Sequence, residues 1–225
     1  MNKMVYFEKS QPAPECLEIE KLKVSGTYNC RNVLFRLQSD FKNKCYICEN
    51  KGLTSINIEH FVPHKGNVDL KFDWNNLFFA CSHCNNIKLA KYENIINCCD
   101  PISLINERLR YNFDAFPFES VHVEPLDQNA DTIETANLLN EVYEGTTIMK
   151  TLESANLRDK ILDEVIDFQV LIRDYVQAKD NLMLRSNLLP KIVGHVLKSG
   201  YFTAIKREKI LKNEFLKNEF IQYFD

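Results

Sequence analysis

Long apolar runs are missing from this 225-residue sequence. No stretch approaches the roughly 18–20 apolar residues that a membrane-crossing helix needs, and the first ten residues lack the apolar core of a signal peptide. A strong excess of one charge sign is also missing, and the net charge of −3 argues against a generic nucleic-acid coat protein. The hydrophobic share of 45% and the charged share of 26% are ordinary for a globular protein. We therefore expect a cytoplasmic protein without a membrane segment.

The charge that is present is unevenly distributed. Residues 31–92 hold nine Lys and Arg against five Asp and Glu, a balance of +4, which leaves −7 for the rest of the chain. Four thiolates on one zinc ion would reduce the balance of this segment to about +2. Such a mild basic bias is too weak to hold DNA unaided.

Eight cysteines in a cytosolic chain favour metal binding over disulfides, because thiols stay reduced there. Two C-x2-C pairs, Cys45 with Cys48 and Cys81 with Cys84, are separated by 32 residues. This spacing lets two tight turns bring four sulfurs to one tetrahedral zinc ion. The sequence therefore predicts a structural zinc site, and the alternative is four reduced core cysteines at this spacing by chance.

The other four cysteines form no convincing second site. We interpret Cys16 and Cys30 as ordinary core or surface thiols. The adjacent Cys98 and Cys99 are interpreted as core packing near a strand end.

The segment between the cysteine pairs predicts a ββα arrangement. Residues 31–42 have helical spacing of apolar positions, and S-I-N-I-E-H alternates as a strand that ends at Glu59 and His60. The residues H-K-G-N-V-D-L-K-F-D read as a polar loop, N-L-F-F-A as a second strand, and a helix begins at Ser82. The predicted fold class is α+β, with a zinc-held ββα-metal core embedded in a largely α-helical protein.

Four segments are predicted along the chain: a lead-in and helix at 1–42, the zinc module at 43–92, short strands and loops at 93–129, and a helical region at 130–225. A short amphipathic piece covers Leu17 to Val24 in the lead-in. In the last segment, apolar residues from Ile161 to Tyr175 repeat at helical spacing. Pro190 is predicted to open a further helix at its first position, and one last helix follows to the end.

Glu59 and His60 carry the chemistry that this frame suggests. Phosphodiester hydrolysis with one metal ion needs an oxygen ligand for a hard cation and a base for the attacking water. Glu59 suits the first role and His60 the second, since imidazole titrates near neutral pH. The alternative is a solvated Glu beside a surface or hydrogen-bonded His. Strand alternation puts neighbours on opposite faces, so the two side chains need the strand-end geometry to converge.

Asparagines supply the remaining candidate groups. Asn85 follows Cys84 directly and offers a neutral oxygen as a second ligand for Mg²⁺ or a similar ion; alternatively, an asparagine here caps the helix. Asn76, preferred over the neighbouring Asn75, is predicted to brace the loop behind His60.

Two basic side chains are candidates for substrate contact. Lys88, one turn past Asn85, could contact a phosphate or remain solvated, and His64 could line the cleft. His83 lies inside the second cysteine pair and is interpreted as exposed or as supporting. His122 and His195 are assigned no role.

These residues resemble the HNH endonuclease family of the ββα-metal type with a four-cysteine zinc clamp. The matching pieces are C-Y-I-C-E, I-E-H-F-V-P and W-N-N-L-F-F-A-C-S-H-C-N with the trailing Lys. The resemblance implies metal-dependent phosphodiester cleavage that leaves a 5′-phosphate. It implies that Glu59 and Asn85 bind a divalent ion such as Mg²⁺ or Mn²⁺, that His60 is the general base, and that Asn76 is the middle motif residue. The last motif His is Asn here, and an acidic residue precedes His60.

The spacing of these pieces, with the later C-D-P, is similar to that of the HNH subunits of Septu-type anti-phage systems, some of them associated with retrons. This similarity covers roughly residues 1–175. It implies a partner ATPase of the ABC/SMC type, for which the helical C-terminal half is a plausible docking surface.

Three functions stay open from the sequence. The first is a metal-dependent nuclease that acts on DNA. The second is a nuclease of the same kind directed at RNA, for example tRNA. The third is a non-catalytic zinc module that binds nucleic acid or protein, which gains if Glu59, His60 and Asn85 point apart.

Overall fold

The computed structural model describes residues 5–102 and 105–225, so the first four residues of the lead-in lie outside it. In this part of the chain, two short antiparallel hairpins are surrounded by helices. The mixed helix-and-strand class is confirmed. The elements of the first half are α1 (Cys16–Lys21), α2 (Arg31–Asp40), β1 (Ile56–His60), α3 (Val68–Phe72), a 3₁₀ turn (Trp74–Asn76), β2 (Leu77–Cys81) and α4 (Ser82–Lys88).

The first hairpin and α4 form the predicted ββα unit. β1 pairs antiparallel with β2, from Ile56 opposite Cys81 to His60 opposite Leu77. Every residue of β2 is buried, because α2 covers this strand and α4 follows it directly. The unit therefore places His60 at the end of β1 and the second cysteine pair at the junction of β2 with α4.

The connection between the two strands differs from the prediction. It was expected to be a polar loop, but it contains α3. The Asn67 side chain starts this helix by accepting the Leu70 amide at 3.1 Å, and Phe72 at its end is buried. The helix holds backbone carbonyls at defined positions next to His60.

The second hairpin and the helices after it confirm the predicted change of pattern along the chain. The elements are α5 (Ile105–Arg108), β3 (Leu109–Asp114), β4 (Ser120–Pro125), α6 (Ala130–Glu144), α7 (Ile148–Gln177), α8 (Leu182–Val196), α9 (Thr203–Leu211), α10 (Glu214–Phe220) and a 3₁₀ turn (Ile221–Tyr223). Helix α7 buries Ile161, Val165, Phe168 and Tyr175, as their spacing predicts.

The amphipathic piece from Leu17 to Val24 is helical only as far as Lys21, where α1 ends. Two predicted helix boundaries are wrong. Pro190 lies inside α8, which begins earlier because the Asn181 side chain accepts the Leu184 amide at 3.0 Å. The predicted last helix is divided, since the side chain of Asn213 caps a new start at α10.

The C-terminal helices pack against the residues that flank the first cysteine pair. The Glu49 carboxylate accepts from the Lys44 ammonium at 3.1 Å and from the Ala204 backbone amide at 3.2 Å, and all three residues are buried. One hydrophobic cluster also runs from Val5 to Ile205. The segments 43–92 and 130–225 therefore share a core, and their boundaries as folding units stay a prediction. Among the described residues, no helix has both the length and the apolar character needed to cross a membrane.

Candidate active site

Four buried cysteines meet beside the first hairpin. The sulfurs of Cys45, Cys48, Cys81 and Cys84 all lie within 4.8 Å of one another, and those of Cys48 and Cys81 are 3.9 Å apart. Tetrahedral zinc with Zn–S bonds of about 2.3 Å holds its sulfurs roughly 3.8 Å apart. The cluster therefore fits a zinc ion. Within residues 5–102 and 105–225, it is the one such group of three or more Cys, His, Asp or Glu.

Each half of this clamp is built by a local turn. In the first half, Glu49 adopts a φ of 59° and donates its amide to the Cys45 carbonyl at 2.9 Å. In the second half, Cys81 is the N-cap of α4, and its sulfur accepts the Cys84 amide at 3.5 Å. A tight turn thus separates Cys45 from Cys48, and the first turn of α4 separates Cys81 from Cys84.

The other cysteines are separate from the clamp. Cys98 is buried and accepts the Phe7 amide at 2.9 Å, which confirms core packing. It lies with Cys99 in a turn, so the predicted strand end beside them is wrong. Cys16 and Cys30 are half-buried neighbours, and burial together with the Cys16 thiol raises the pKa of Cys30 to about 12.

Glu59 is buried and forms an ion pair. Its Oε1 lies 2.8 Å from Lys88 Nζ, which also donates to the Phe61 carbonyl at 2.9 Å. Burial raises the pKa of Glu59 to about 7, against the opposing effect of the Lys88 ammonium. Because the Lys88 side chain is 0% exposed, the alternative of a solvated lysine is wrong. A phosphate contact would require Lys88 to leave this pair.

His60 has a different environment from Glu59. Its Nε2 lies 3.0 Å from the Lys71 carbonyl, on α3, whereas Glu59 faces α4. A carbonyl only accepts hydrogen bonds, so Nε2 carries the proton and Nδ1 keeps its lone pair. Burial lowers the pKa of His60, which favours this neutral form. The imidazole can therefore accept a proton at Nδ1, while the side chains of Glu59 and His60 do not converge in this conformation.

Asn76 braces the loop behind His60, as predicted. Its Oδ1 accepts the Val62 amide at 2.7 Å, and its Nδ2 donates to the carbonyls of Val62 and Leu70 at 2.9 and 3.0 Å. Leu70 precedes Lys71, so these bonds fix the segment whose carbonyl orients His60. Asn75 instead lies exposed on the surface. Any further part of Asn76 in catalysis stays a prediction.

Asn85 lies on the first turns of α4 and is half-buried. Residues three apart on a helix are neighbours on one face, so Asn85 and Lys88 share one face of α4. The alternative that an asparagine caps α4 is wrong, because Cys81 is the N-cap. Asn86, the next residue, is exposed.

The remaining histidines have three different surroundings. The His64 ring is 4.7 Å from the His60 ring, so the two imidazoles are adjacent. His83 joins α4 to the C-terminal helices, through Glu153 at 2.7 Å and the Val142 carbonyl at 2.8 Å. His122 is exposed on β4, and His195 contacts Lys206 on α9 at 2.8 Å; both lie outside the first hairpin.

Two contributors to the His60 environment were missed in the sequence. One is the Lys71 carbonyl, which belongs to helix α3. The capping residue Asn67 before V-D-L-K-F is the sequence signal that could have predicted this helix. The other is Tyr28, whose ring lies 4.5 Å from the His60 ring. No local pattern marks Tyr28, because its position depends on packing between distant segments.

A zinc-compatible clamp, a hairpin ending in histidine, a bracing asparagine and a following helix thus occupy one short segment. Residues 45–91 match the family model of the HNH endonuclease. The chain therefore carries an HNH endonuclease domain, which supports nuclease activity in general. This HNH domain contains every site residue predicted from the sequence and leaves out α1, α2 and the C-terminal helices. A search among curated proteins finds no match to the chain.

HNH nucleases generally use a divalent ion, and Glu59 and Asn85 are the oxygen donors predicted to hold it. Within the described part of the chain, Glu59 Oε2 is buried with no hydrogen bond of normal geometry, although the Tyr46 hydroxyl lies beside the carboxyl. Asn85 lies on α4, on the same face as Lys88, the partner of Glu59. Carboxylate and carboxamide oxygens are the ligands that Mg²⁺ and Mn²⁺ prefer. An ion bound to Glu59 would compete with the Lys88 ammonium.

Replacing Lys88 with methionine tests the buried pair. Lys88→Met leaves the Glu59 carboxylate without its cation, and breaking a buried pair costs about 3–5 kcal/mol. Burial holds the folded pKa of Glu59 above its unfolded value. Between these two pKa values, the folded state therefore binds a proton at Glu59 that the unfolded state does not bind. This contribution to stability is lost as pH rises through the folded pKa. Urea unfolding at about pH 6 and about pH 8.5 should show the larger loss at the higher pH.

Lys91→Met is the matched control, because Lys91 forms an exposed pair with Glu141 and should matter little. The double variant Glu59→Gln/Lys88→Met should recover most of the lost stability. Equal stability of Lys88→Met and the wild type at both pH values would contradict a buried pair.

Proposed function

We propose that this protein is a metal-dependent endonuclease that hydrolyses phosphodiester bonds in nucleic acid, with His60 as the general base. The observation that carries the proposal is the bond between His60 Nε2 and the Lys71 carbonyl at 3.0 Å. It leaves Nδ1 as the acceptor, and a lowered pKa keeps that nitrogen unprotonated near neutral pH. His60 takes the proton from the water that attacks phosphorus.

In this proposal, Glu59 and Asn85 would hold the catalytic ion. A bound Mg²⁺ or Mn²⁺ supplies charge stabilisation at the phosphate and at the leaving oxygen. Glu59 contributes the anionic oxygen and Asn85 a neutral one. Lys88, which pairs with Glu59 here, would be the residue that contacts a phosphate. His64, beside His60, would also contact the substrate.

DNA is the substrate that we propose, and RNA is the alternative for the same site. The mild basic balance of residues 31–92 gives a weak hold on either polyanion. We therefore propose that an ATPase partner of the ABC/SMC type supplies much of the grip. In this proposal the protein is the cytoplasmic nuclease of a Septu-type anti-phage system, in some settings with a retron. Co-purification with the product of a neighbouring ATPase gene tests the partnership. A purified preparation that contains no ATPase would contradict it.

A second candidate function is a non-catalytic zinc module that binds nucleic acid or protein. One observation favours it: Glu59 forms a buried pair with Lys88 and does not converge with His60. In this reading, the pair stabilises the hairpin and no ion binds there.

Parallel incubation of duplex DNA and total RNA with Mg²⁺ or Mn²⁺ separates these functions. The proposal predicts cleavage of DNA that depends on the added ion and yields 5′-phosphate ends. Cleavage of RNA alone would show that RNA is the substrate of the same proposed site. No cleavage of either polymer, by the chain alone or with its ATPase partner, would favour the zinc module.

A further inference from the structure

The lead-in before the HNH domain packs against α3, the helix that orients His60. Lys71 donates its ammonium to the Gly26 carbonyl at 2.8 Å, and Lys21 pairs with Asp69 at 2.8 Å. Gly26 itself has no room for a side chain, because an added Cβ would lie 1.8 Å from the Glu20 carbonyl oxygen within the lead-in and 3.3 Å from the Phe72 ring at the end of α3. The lead-in is therefore fitted closely against the segment behind His60, although it lies outside the matched residues 45–91.

Tyr28 extends from this lead-in onto the His60 ring. The two rings are 4.5 Å apart with an interplanar angle of 79°, an edge-to-face contact. His64 makes a second edge contact with His60 at 4.7 Å. Two aromatic rings therefore pack on the imidazole whose Nε2 is bonded to the Lys71 carbonyl. Each of the two contacts restricts rotation of the ring about its side-chain bonds.

We propose that Tyr28 is a positioning residue for His60. It acts through the imidazole and touches no reacting atom. By packing on the ring, it keeps Nε2 on the Lys71 carbonyl and so leaves Nδ1 as the nitrogen that can accept a proton. The aromatic ring carries this role and the hydroxyl does not, because the contact is made by the rings. The proposal rests on the proposed function, in which Nδ1 is the proton acceptor. In this proposal, a residue of the lead-in, outside the HNH domain, contributes to the active site.

Kinetics of three variants test this role. Tyr28→Ala should lower kcat about 10–100-fold with KM unchanged, because a misplaced catalytic group loses rate and not substrate binding. Tyr28→Phe should restore the wild-type kcat. Phe35→Ala is the control, since Phe35 is exposed on α2, where it contacts Arg31. A wild-type kcat for Tyr28→Ala, or a Tyr28→Phe as slow as Tyr28→Ala, would overturn the proposal.

A second measurement is independent of activity. In protein labelled with ¹⁵N-histidine, long-range ¹H–¹⁵N spectra report which imidazole nitrogen carries the proton, and His60→Ala assigns the signal. The wild type should show His60 as the Nε2–H form alone, and Tyr28→Ala should show both forms. An unchanged single form in Tyr28→Ala, with the zinc content retained, would overturn the positioning role. If the wild type cleaves no nucleic acid, the proposed function fails while this spectrum still decides the role of Tyr28.

Discussion

His60→Ala is expected to reduce the rate of nucleic-acid cleavage about 10²–10⁴-fold, the usual contribution of a positioned general base. The reason is that Nδ1 is the nitrogen left to accept a proton when Nε2 is bonded to the Lys71 carbonyl. The variant should keep its zinc, because His60 is not part of the four-cysteine cluster. Single-turnover cleavage of end-labelled DNA measures the rate of the chemical step directly.

His122→Ala is the matched control, since His122 is exposed on β4, away from the first hairpin. It should cleave at the wild-type rate. Equal rates for His60→Ala and the wild type would remove His60 as the base. A His60→Ala variant that loses zinc would show instead that the imidazole has a structural part in the clamp.

Cys81→Ser is expected to have the largest effect on folding. Cys81 both contributes a sulfur to the clamp and caps α4 by accepting the Cys84 amide. A structural zinc ion contributes about 10–16 kcal/mol in small zinc domains, which is comparable to or larger than the roughly 5–15 kcal/mol stability of a typical folded protein. The variant should therefore lose zinc and should lose the cooperative unfolding of the hairpin with α4. Metal analysis and a thermal circular-dichroism scan measure both.

Cys99→Ser is the control for this variant, because Cys99 is half-buried and separate from the clamp. It should retain one zinc ion per chain, and its thermal unfolding transition should be close to that of the wild type. If Cys81→Ser melts like Cys99→Ser, the four sulfurs are core thiols without zinc, which was the alternative left open by the cysteine spacing.

The clamp and the hairpin could be predicted because each depends on a local pattern. Two x2 turns, an alternating strand and a buried strand followed by a helix are all readable from short segments. The bracing role of Asn76 was also predictable, since it lies just before the second strand and faces the loop that it holds. Such features need no knowledge of the rest of the fold.

Features that depend on distant contacts could not be predicted. The pairing of Glu59 with Lys88 requires the direction in which α4 crosses β1, and the contact of Tyr28 with His60 requires the position of the lead-in. The preference of proline for the first position of a helix predicts a helix start at Pro190. The Asn181 cap starts α8 earlier and leaves the proline inside the helix.

The four-cysteine cluster offers sulfur donors and Glu59 offers oxygen donors, and from this difference we propose that two different ions serve this protein. Brief treatment with a chelator, followed by metal analysis and a cleavage assay across Mg²⁺ concentrations, tests that claim most directly. We predict one retained zinc ion per chain, no cleavage after chelation, and full recovery with Mg²⁺ or Mn²⁺ at constant zinc content. Cleavage that persists after chelation, or that returns only with added zinc, would contradict it.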